Sequence, residues 1–341
     1  MKAYIKAVDY YLPEKIVTNK DISLKFPEWN EDKIFEKVGI RERHVSAENE
    51  TALDMAQKAC EKLFASDASL KHTIDFILFC TQSPDYKLPT SACILQDSLG
   101  LPVNVGALDF NLGCSGYEYG LAIAKGLIVG CMAKSVLFIT SETYSKYLHP
   151  EDKGNISIFG DAASATIVST EGFAEIDEFV FGTDGNGANE LIIKTGASRN
   201  PNKLNEISKD ENEHIVSSDH LYMDGGSIFS FTLKQVPRMA KSLLEKSNLT
   251  MENVDLFIFH QANVYMLEFL RKKLKIGNDR FYYCIENVGN TVSNTVPIAL
   301  CNALHDGTLK GKKKVMLAGF GVGLSWAAVI MDFSRTFEMK A

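Results

Sequence analysis

No C-x-x-C pair occurs anywhere in the sequence. The seven cysteines (Cys60, Cys80, Cys93, Cys114, Cys131, Cys284, Cys301) are odd in number and scattered, which argues against a disulfide framework or a zinc site and for a reducing, cytoplasmic setting. Basic residues are not in excess either. With 36 Lys and Arg against 43 Asp and Glu, the net charge of −7 speaks against broad nucleic-acid binding, leaving room only for a local basic patch that docks an acidic partner. Membrane-length apolar runs are missing too: the most apolar stretch, 117–133, is interrupted by Glu118 and Lys125. At the N-terminus, Lys2, Lys6 and Asp9 leave no signal-peptide core, so no membrane segment is expected. What remains is a globular chain of 341 residues, 45% hydrophobic, able to bury a large core in one big domain or two fused ones.

The stretch that organises the chain is Ala107 to Gly116. A short apolar strand runs into the turn Gly113-Cys114-Ser115-Gly116, and helical spacing (Tyr117, Leu121, Ala124, Leu127, Ile128) begins at once, predicting a helix over 117–132. A thiol at a helix N-terminus meets unpaired amides and the positive end of the dipole, so its thiolate is expected to form more readily than in a free cysteine. A buried structural cysteine is the alternative.

Elsewhere the pattern alternates. Ala3–Val8 and Ile74–Cys80 read as strands, the second apolar enough to be covered on both faces. Glu28–Val38 and Glu50–Phe64 read as helices. The second half echoes the first: Asp75-Phe76-Ile77-Leu78-Phe79-Cys80 returns as Asp255-Leu256-Phe257-Ile258-Phe259-His260. Likewise Asn111-Leu112-Gly113-Cys114 returns as Asn287-Val288-Gly289-Asn290, and Val136–Thr140 as Val315–Gly319, each displaced by nearly the same number of positions. Such order points to a duplicated α/β unit, with halves 1–171 and 172–341. Equivalent loops then meet at a pseudo-twofold axis, bringing Cys114 opposite Asn290 with His260 beside them. A lone histidine after a strand is more often structural, but three polar groups at repeat-related turns favour a site suited to acyl transfer.

Gly113-Cys114-Ser115-Gly116, His260-Gln261-Ala262-Asn263, Gly289-Asn290-Thr291 with Val296-Pro297, and Gly319-Phe320-Gly321-Val322-Gly323 resemble the signature regions of β-ketoacyl-acyl-carrier-protein synthase III, a thiolase-fold condensing enzyme family. Gly39–His44, Asn49-Glu50-Thr51 and Phe159-Gly160-Asp161 extend the resemblance over nearly the whole chain. It implies an α/β fold of five layers, αβαβα, and a homodimer. It also implies a reaction in which Cys114 takes an acyl group from acyl-CoA and malonyl-acyl carrier protein (malonyl-ACP) loses CO2 to attack it. His260 and Asn290 would donate to the malonyl thioester oxygen, and the backbone N–H groups of Cys114 and Val322 would hold the oxyanion of acyl transfer. No metal or redox cofactor is implied. A dinucleotide reading of the Gly-rich loop fails because Leu324 fills its third small position and no βαβ unit follows. A degradative thiolase would carry a second cysteine in that loop, and none is there.

Departures concern the substrate. Lys33 and Lys37 stand where aromatic and cationic groups sandwich the CoA adenine, and Trp29, one helical turn away, is the candidate replacement. Lys153 replaces a nucleotide-binding arginine. Gly225, Gly226 and Phe229, in a segment that also reads as a plain strand-to-helix turn, and Phe320 are further substrate candidates. Leu88 occupies the place of a pocket-wall phenylalanine. Val322 replaces a glycine, which a backbone donor tolerates if φ is negative. The polar insertion Thr195–His220 reads as a surface loop. Arg271-Lys272-Lys273 are either a solvated helix face or the dock for the carrier protein. These departures also admit a specialised condensing enzyme or acyltransferase of a secondary or surface-glycan pathway. A non-catalytic partner subunit is disfavoured by the retained cysteine.

Overall fold

The computed structural model describes residues 1–210 and 215–334. Among the described residues nine strands form the main sheet, five of them from the first half: β1 (Tyr4–Tyr11), β2 (Phe76–Cys80), β3 (Gly106–Phe110), β4 (Ser135–Glu142) and β5 (Ala162–Ser169). Four come from the second: β6 (Ala174–Thr183), β7 (Leu256–Phe259), β8 (Lys314–Gly321) and β9 (Ser325–Asp332). Their order is β7-β8-β9-β6-β1-β5-β4-β2-β3. Outward from the central β6–β1 seam, both sides pair alike: antiparallel β1–β5 and β6–β9, antiparallel β5–β4 and β9–β8, then parallel β4–β2 and β8–β7. The seam itself is short, Tyr4 against Glu175 and Ile5 against Ala174. Duplicated sequence has therefore produced duplicated topology.

Strand periodicity assigns the two faces of each half-sheet. On β4, Leu137 and Ile139 face one core while Val136 and Phe138 face another; on β8, Met316, Ala318 and Phe320 oppose Val315 and Leu317. The first outer core is closed by helices α1 (Ala52–Ser66) and α2 (Ser91–Ser98). The central core holds α3 (Gly116–Val129) and α6 (Thr295–His305), and the second outer core holds α4 (Gly225–Lys246) and α5 (Val264–Lys273). Helix, half-sheet, helix pair, half-sheet, helix: these are the five αβαβα layers. Both neighbours of α3 are sheets, which is why its sequence is apolar nearly all round. Gly120 on α3 faces Phe138, where an added Cβ would lie 2.0 Å from the ring. Phe138 also stacks on Tyr117 at 5.4 Å, so Phe138→Ala removes about 3–5 kcal/mol of packing.

Local signals account for the helix limits. Thr51 and Asp54 form a capping box at the start of α1. The helix expected over 28–38 begins at Glu31, because the Asn30 side chain accepts from Lys33 N–H. The helix expected over 117–132 ends at Val129, where Gly130 caps it and Cys131 takes φ 58°. The polar insertion includes a short antiparallel pair, Ser208–Lys209 with Ile215–Val216; residues 211–214 lie outside the described residues.

Candidate active site

Cys114 sits in the turn between β3 and α3. Gly116 N–H closes that turn onto Gly113 O at 2.7 Å, and Ser115 Oγ is paired with Ser325 Oγ at 2.8 Å across the two halves. Around the thiol pack Tyr144, Phe159, Leu191, Leu221, Val292 and Val322. Two glycines of β8 let the turn approach. A Cβ at Gly321 would stand 2.7 Å from Cys114 Sγ, and one at Gly319 would stand 2.6 Å from Cys114 O. The backbone N–H groups of Val322 and Cys114 hydrogen-bond the sulfur and favour thiolate, yet burial outweighs them and pushes the thiol up to about 12. The ready thiolate expected at the helix start is thus corrected: desolvation on every side dominates over a few amides. Val322 is not among the residues with positive φ, so its amide needs no glycine.

His260 follows β7, its N–H bonded to Ala318 O at 2.7 Å. Its ring meets the edge of Phe320, centroids 5.6 Å apart, and its Nδ1 lies 2.7 Å from Thr295 Oγ1. Burial drives the imidazole down to about 3, so it is neutral at any ordinary pH. Asn290 is clamped by its backbone, N–H to Ile158 O at 2.9 Å and O from Gly160 N–H at 2.9 Å. Its Oδ1 accepts Val292 N–H at 2.9 Å, which orients the amide and leaves Nδ2 as the donor, with only Ala262 O nearby at 3.4 Å. Preceding Gly289 has φ 75° and presses on the fully buried Arg43, whose guanidinium donates to Val17 O, Asn19 Oδ1 and Ser157 O. Val292 belongs to the same apolar cluster as Cys114, while Phe320 and Gly321, adjacent on β8, lie against His260 and Cys114. The thiol, the imidazole and the amide therefore converge.

Two residues of this site escaped the sequence reading. Glu142, at the end of β4, accepts Gln82 N–H at 3.0 and 3.1 Å, Ser83 Oγ at 2.9 Å and Ser293 Oγ at 3.4 Å. Burial raises it to about 8. It ties the exit of β2 to the turn after Asn290, and Gln82 in turn donates to Asn111 Oδ1 at 2.9 Å, just ahead of the nucleophile. The only sequence signal is an acidic residue closing an apolar strand. Thr295, the other, opens α6 and gave no signal beyond its place before Val296-Pro297.

The substrate candidates are dispersed. Trp29 is only 9% exposed, within a cluster of Ile22, Phe26, Ile34, Val38 and Ile40. Ammonium groups of Lys37, Lys153 and Lys33 lie 4.7, 5.6 and 5.7 Å from its ring centroid. Trp29 as an adenine-stacking replacement is corrected on this ground: the ring is core, covered by lysine stems. Lys153 also pairs with Glu28 at 2.9 Å. Leu88 is 81% exposed, outside the apolar cluster around Cys114. Gly225 and Gly226 are the exposed first residues of α4, capped by Asp224. Phe229 stacks on Tyr265 at 5.7 Å and meets Phe269 at 5.5 Å, both on α5. Phe320 is buried beneath His260. Arg271 is held by both oxygens of Glu268 at 3.0 Å and donates to Ile276 O at 3.0 Å, and Lys272 shares Glu268 at 3.4 Å. Lys273 is exposed and makes no ion pair among the described residues.

Two duplicated α/β halves with a cysteine, a histidine and an asparagine at their facing turns define the condensing-enzyme class of the thiolase fold. Family models described as 3-oxoacyl-[acyl-carrier-protein] synthase III and its C-terminal part match residues 108–185 and 244–333. The β-ketoacyl-[acyl-carrier-protein] synthase III of Caldanaerobacter subterraneus is 35% identical over 95% of this chain and 96% of its own length. A crystal structure of a 3-oxoacyl-(acyl-carrier-protein) synthase III superposes with a TM-score of 0.95 at 48% identity, covering 97% of this chain and all of the other. That of the 3-oxoacyl-(acyl-carrier protein) synthase from Burkholderia xenovorans gives 0.89 at 34%, covering 97% and 94%. The chain belongs to the β-ketoacyl-[acyl-carrier-protein] synthase III family.

Proposed function

We propose that this chain joins an acyl-CoA primer to malonyl-ACP by decarboxylative Claisen condensation, initiating fatty-acid-type chain synthesis. The carrying observation is that Asn290 is oriented to donate, close to a thiol that two backbone N–H groups already address. In loading, Cys114 sulfur bonds to the acyl carbon, the bond from that carbon to the CoA sulfur breaks, and CoA leaves as the thiol with the proton Cys114 gave up. Cys114 and Val322 N–H groups hold the tetrahedral oxyanion. In condensation the malonyl carboxylate leaves as CO2, and the electron pair passes into the thioester as an enolate whose oxygen takes hydrogen bonds from His260 Nε2 and Asn290 Nδ2. The enolate carbon then bonds to the acyl carbon, the bond from that carbon to Cys114 sulfur breaks, and the thiolate released takes a proton from water to restore the thiol. Electrons stay within bonds that form and break, so the balance calls for no redox cofactor, and the positive charge a metal would offer the enolate is replaced by two N–H donors.

The cytoplasm as the site of action fits the CoA and carrier-protein substrates. A homodimer is supported by the open edge of β3, whose outer side pairs with no strand among the described residues and where Leu108 is 44% exposed. Ser91 and Ala92 N–H groups bind Asp109 of β3 at 2.6 and 2.8 Å, so the loop carrying Leu88 lies beside that edge. A partner paired there would meet Leu88, giving an exposed leucine a route to a substrate wall. Of Arg271, Lys272 and Lys273, Lys273 is the one without an ion pair among the described residues, and it would receive an acidic carrier. The test is CO2 release and β-ketoacyl product from malonyl-ACP with a panel of acyl-CoAs; folded protein that turns over none of them overturns the proposal.

A further inference from the structure

We propose that Asn294 is a positioning residue: it pins the turn after Asn290 to strands of the first half and so holds Val292 in the left-handed backbone that aims the Asn290 amide. This rests on the reading of Asn290 as a donor to the thioester oxygen. The backbone of Asn290 is clamped, but the flip of its amide is set by Val292 N–H on Oδ1. Among the described residues five non-glycine residues have positive φ: Cys131, Asn205, Asn248, Lys275 and Val292, the last at 58°. The other four are exposed, whereas Val292 is β-branched and fully buried. A β-branched residue is costly in that region, and such a conformation persists only where its surroundings over-determine it.

Asn294 supplies that determination. Its Nδ2 donates to two carbonyls, Ala162 O at 2.9 Å and Thr291 O at 3.2 Å, so its Oδ1 is the acceptor and takes the Thr140 hydroxyl at 2.6 Å. Its backbone N–H falls on the same Thr291 O at 3.1 Å. One fully buried residue thus closes the turn around Val292 and fastens it to β4 through Thr140 and to β5 through Ala162. Ser293 adds a longer contact, Oγ to Glu142 Oε1 at 3.4 Å. With Asn290 clamped on one side and Asn294 pinned on the other, any change of φ at Val292 has to rotate the peptide plane that bears its N–H. Strands of the first half therefore aim a donor that belongs to the second.

The experiment compares Asn294→Ala and Thr140→Val, each alone and in a Val292→Gly background, with Val292→Gly itself and Asn290→Ala. Intact mass reads the rate of Cys114 acylation, and CO2 release reads condensation. Condensation kcat is expected to fall on the order of 10²-fold in Asn294→Ala and on the order of 10-fold in Thr140→Val, with KM and acyl-adduct formation little changed. Glycine takes positive φ freely, so relative to Val292→Gly alone Asn294→Ala should cost roughly 10-fold less than it does beside valine. A side chain that only fills space would lose the same factor in both backgrounds. Native condensation in Asn294→Ala, loading slowed as much as condensation, or equal losses in the two backgrounds overturns the role of Asn294. If Asn294→Ala does not fold, Thr140→Val decides by the same readings; if Val292→Gly does not, the split between loading and condensation decides. Native-rate condensation in Asn290→Ala instead overturns the reading of Asn290 on which this inference rests.

Discussion

Gly321 and Cys114 occupy one another's space: a Cβ on the glycine would lie 2.7 Å from the thiol sulfur. The missing side chain on β8 is the room in which Sγ sits, and the contact crosses from one duplicated half to the other. Gly321→Ala should therefore displace the nucleophile. Because a misplacement of about 1 Å costs roughly 10²-fold, acyl-adduct formation should slow by about that factor while far-UV circular dichroism stays native. An alanine variant that acylates at the native rate would contradict the crowding.

The Cys114 thiol, raised to about 12 by burial, should behave as a thiol through the neutral range. Its alkylation by iodoacetamide is expected to climb with pH from 7 to 10 without a plateau. A plateau near pH 7 would mean that the amides at its sulfur win over desolvation.

Glu142 is raised to about 8 from an ordinary 4.5. The folded protein therefore holds a proton there that the unfolded chain releases. This group's contribution to stability is complete below about pH 4.5 and is lost as pH rises through about 8. Urea midpoints between pH 6 and pH 9 should fall less in Glu142→Gln than in the native protein. Equal slopes would remove Glu142 as the source.

Asn290→Asp keeps shape and the acceptor for Val292 N–H but turns the Nδ2 donor into a carboxylate oxygen. Condensation should drop on the order of 10²-fold or more, with Cys114 still acylated. Loss of acylation instead would place Asn290 in the loading step.

Lys273 and Arg271 should part company. Lys273→Glu is expected to raise KM for malonyl-ACP several-fold in a salt-sensitive manner, leaving Tm unchanged. Arg271→Ala should lower Tm through the lost Glu268 and Ile276 contacts and change KM little. Steady-state kinetics at two ionic strengths, with thermal melts, separates them.

Much of the framework was legible because it is written locally. Strands such as 74–80 betray themselves by apolar runs, the Thr51/Asp54 box marks a helix start, and the echo of Asp75–Cys80 in Asp255–His260 announces the repeat. The supporting network was not legible. Glu142 works through Gln82 and Ser83 on one segment and Ser293 on another, both far from it in the chain, and no periodicity links them. Trp29 looked free for stacking because a sequence does not say which side chains will cover a ring.

By itself the sequence determined the duplicated α/β order, the glycine turn that presents Cys114 and the matched positions of His260 and Asn290, since period, turn chemistry and spacing act between near neighbours. Only the tertiary structure decided that the His260 ring is buried against Thr295 and Phe320, that the Asn290 amide is oriented by Val292 N–H, and that burial carries the Cys114 thiol upward. Those outcomes depend on hydrogen bonds and desolvation supplied by elements far apart in the chain, which exist only once the two halves have closed on each other.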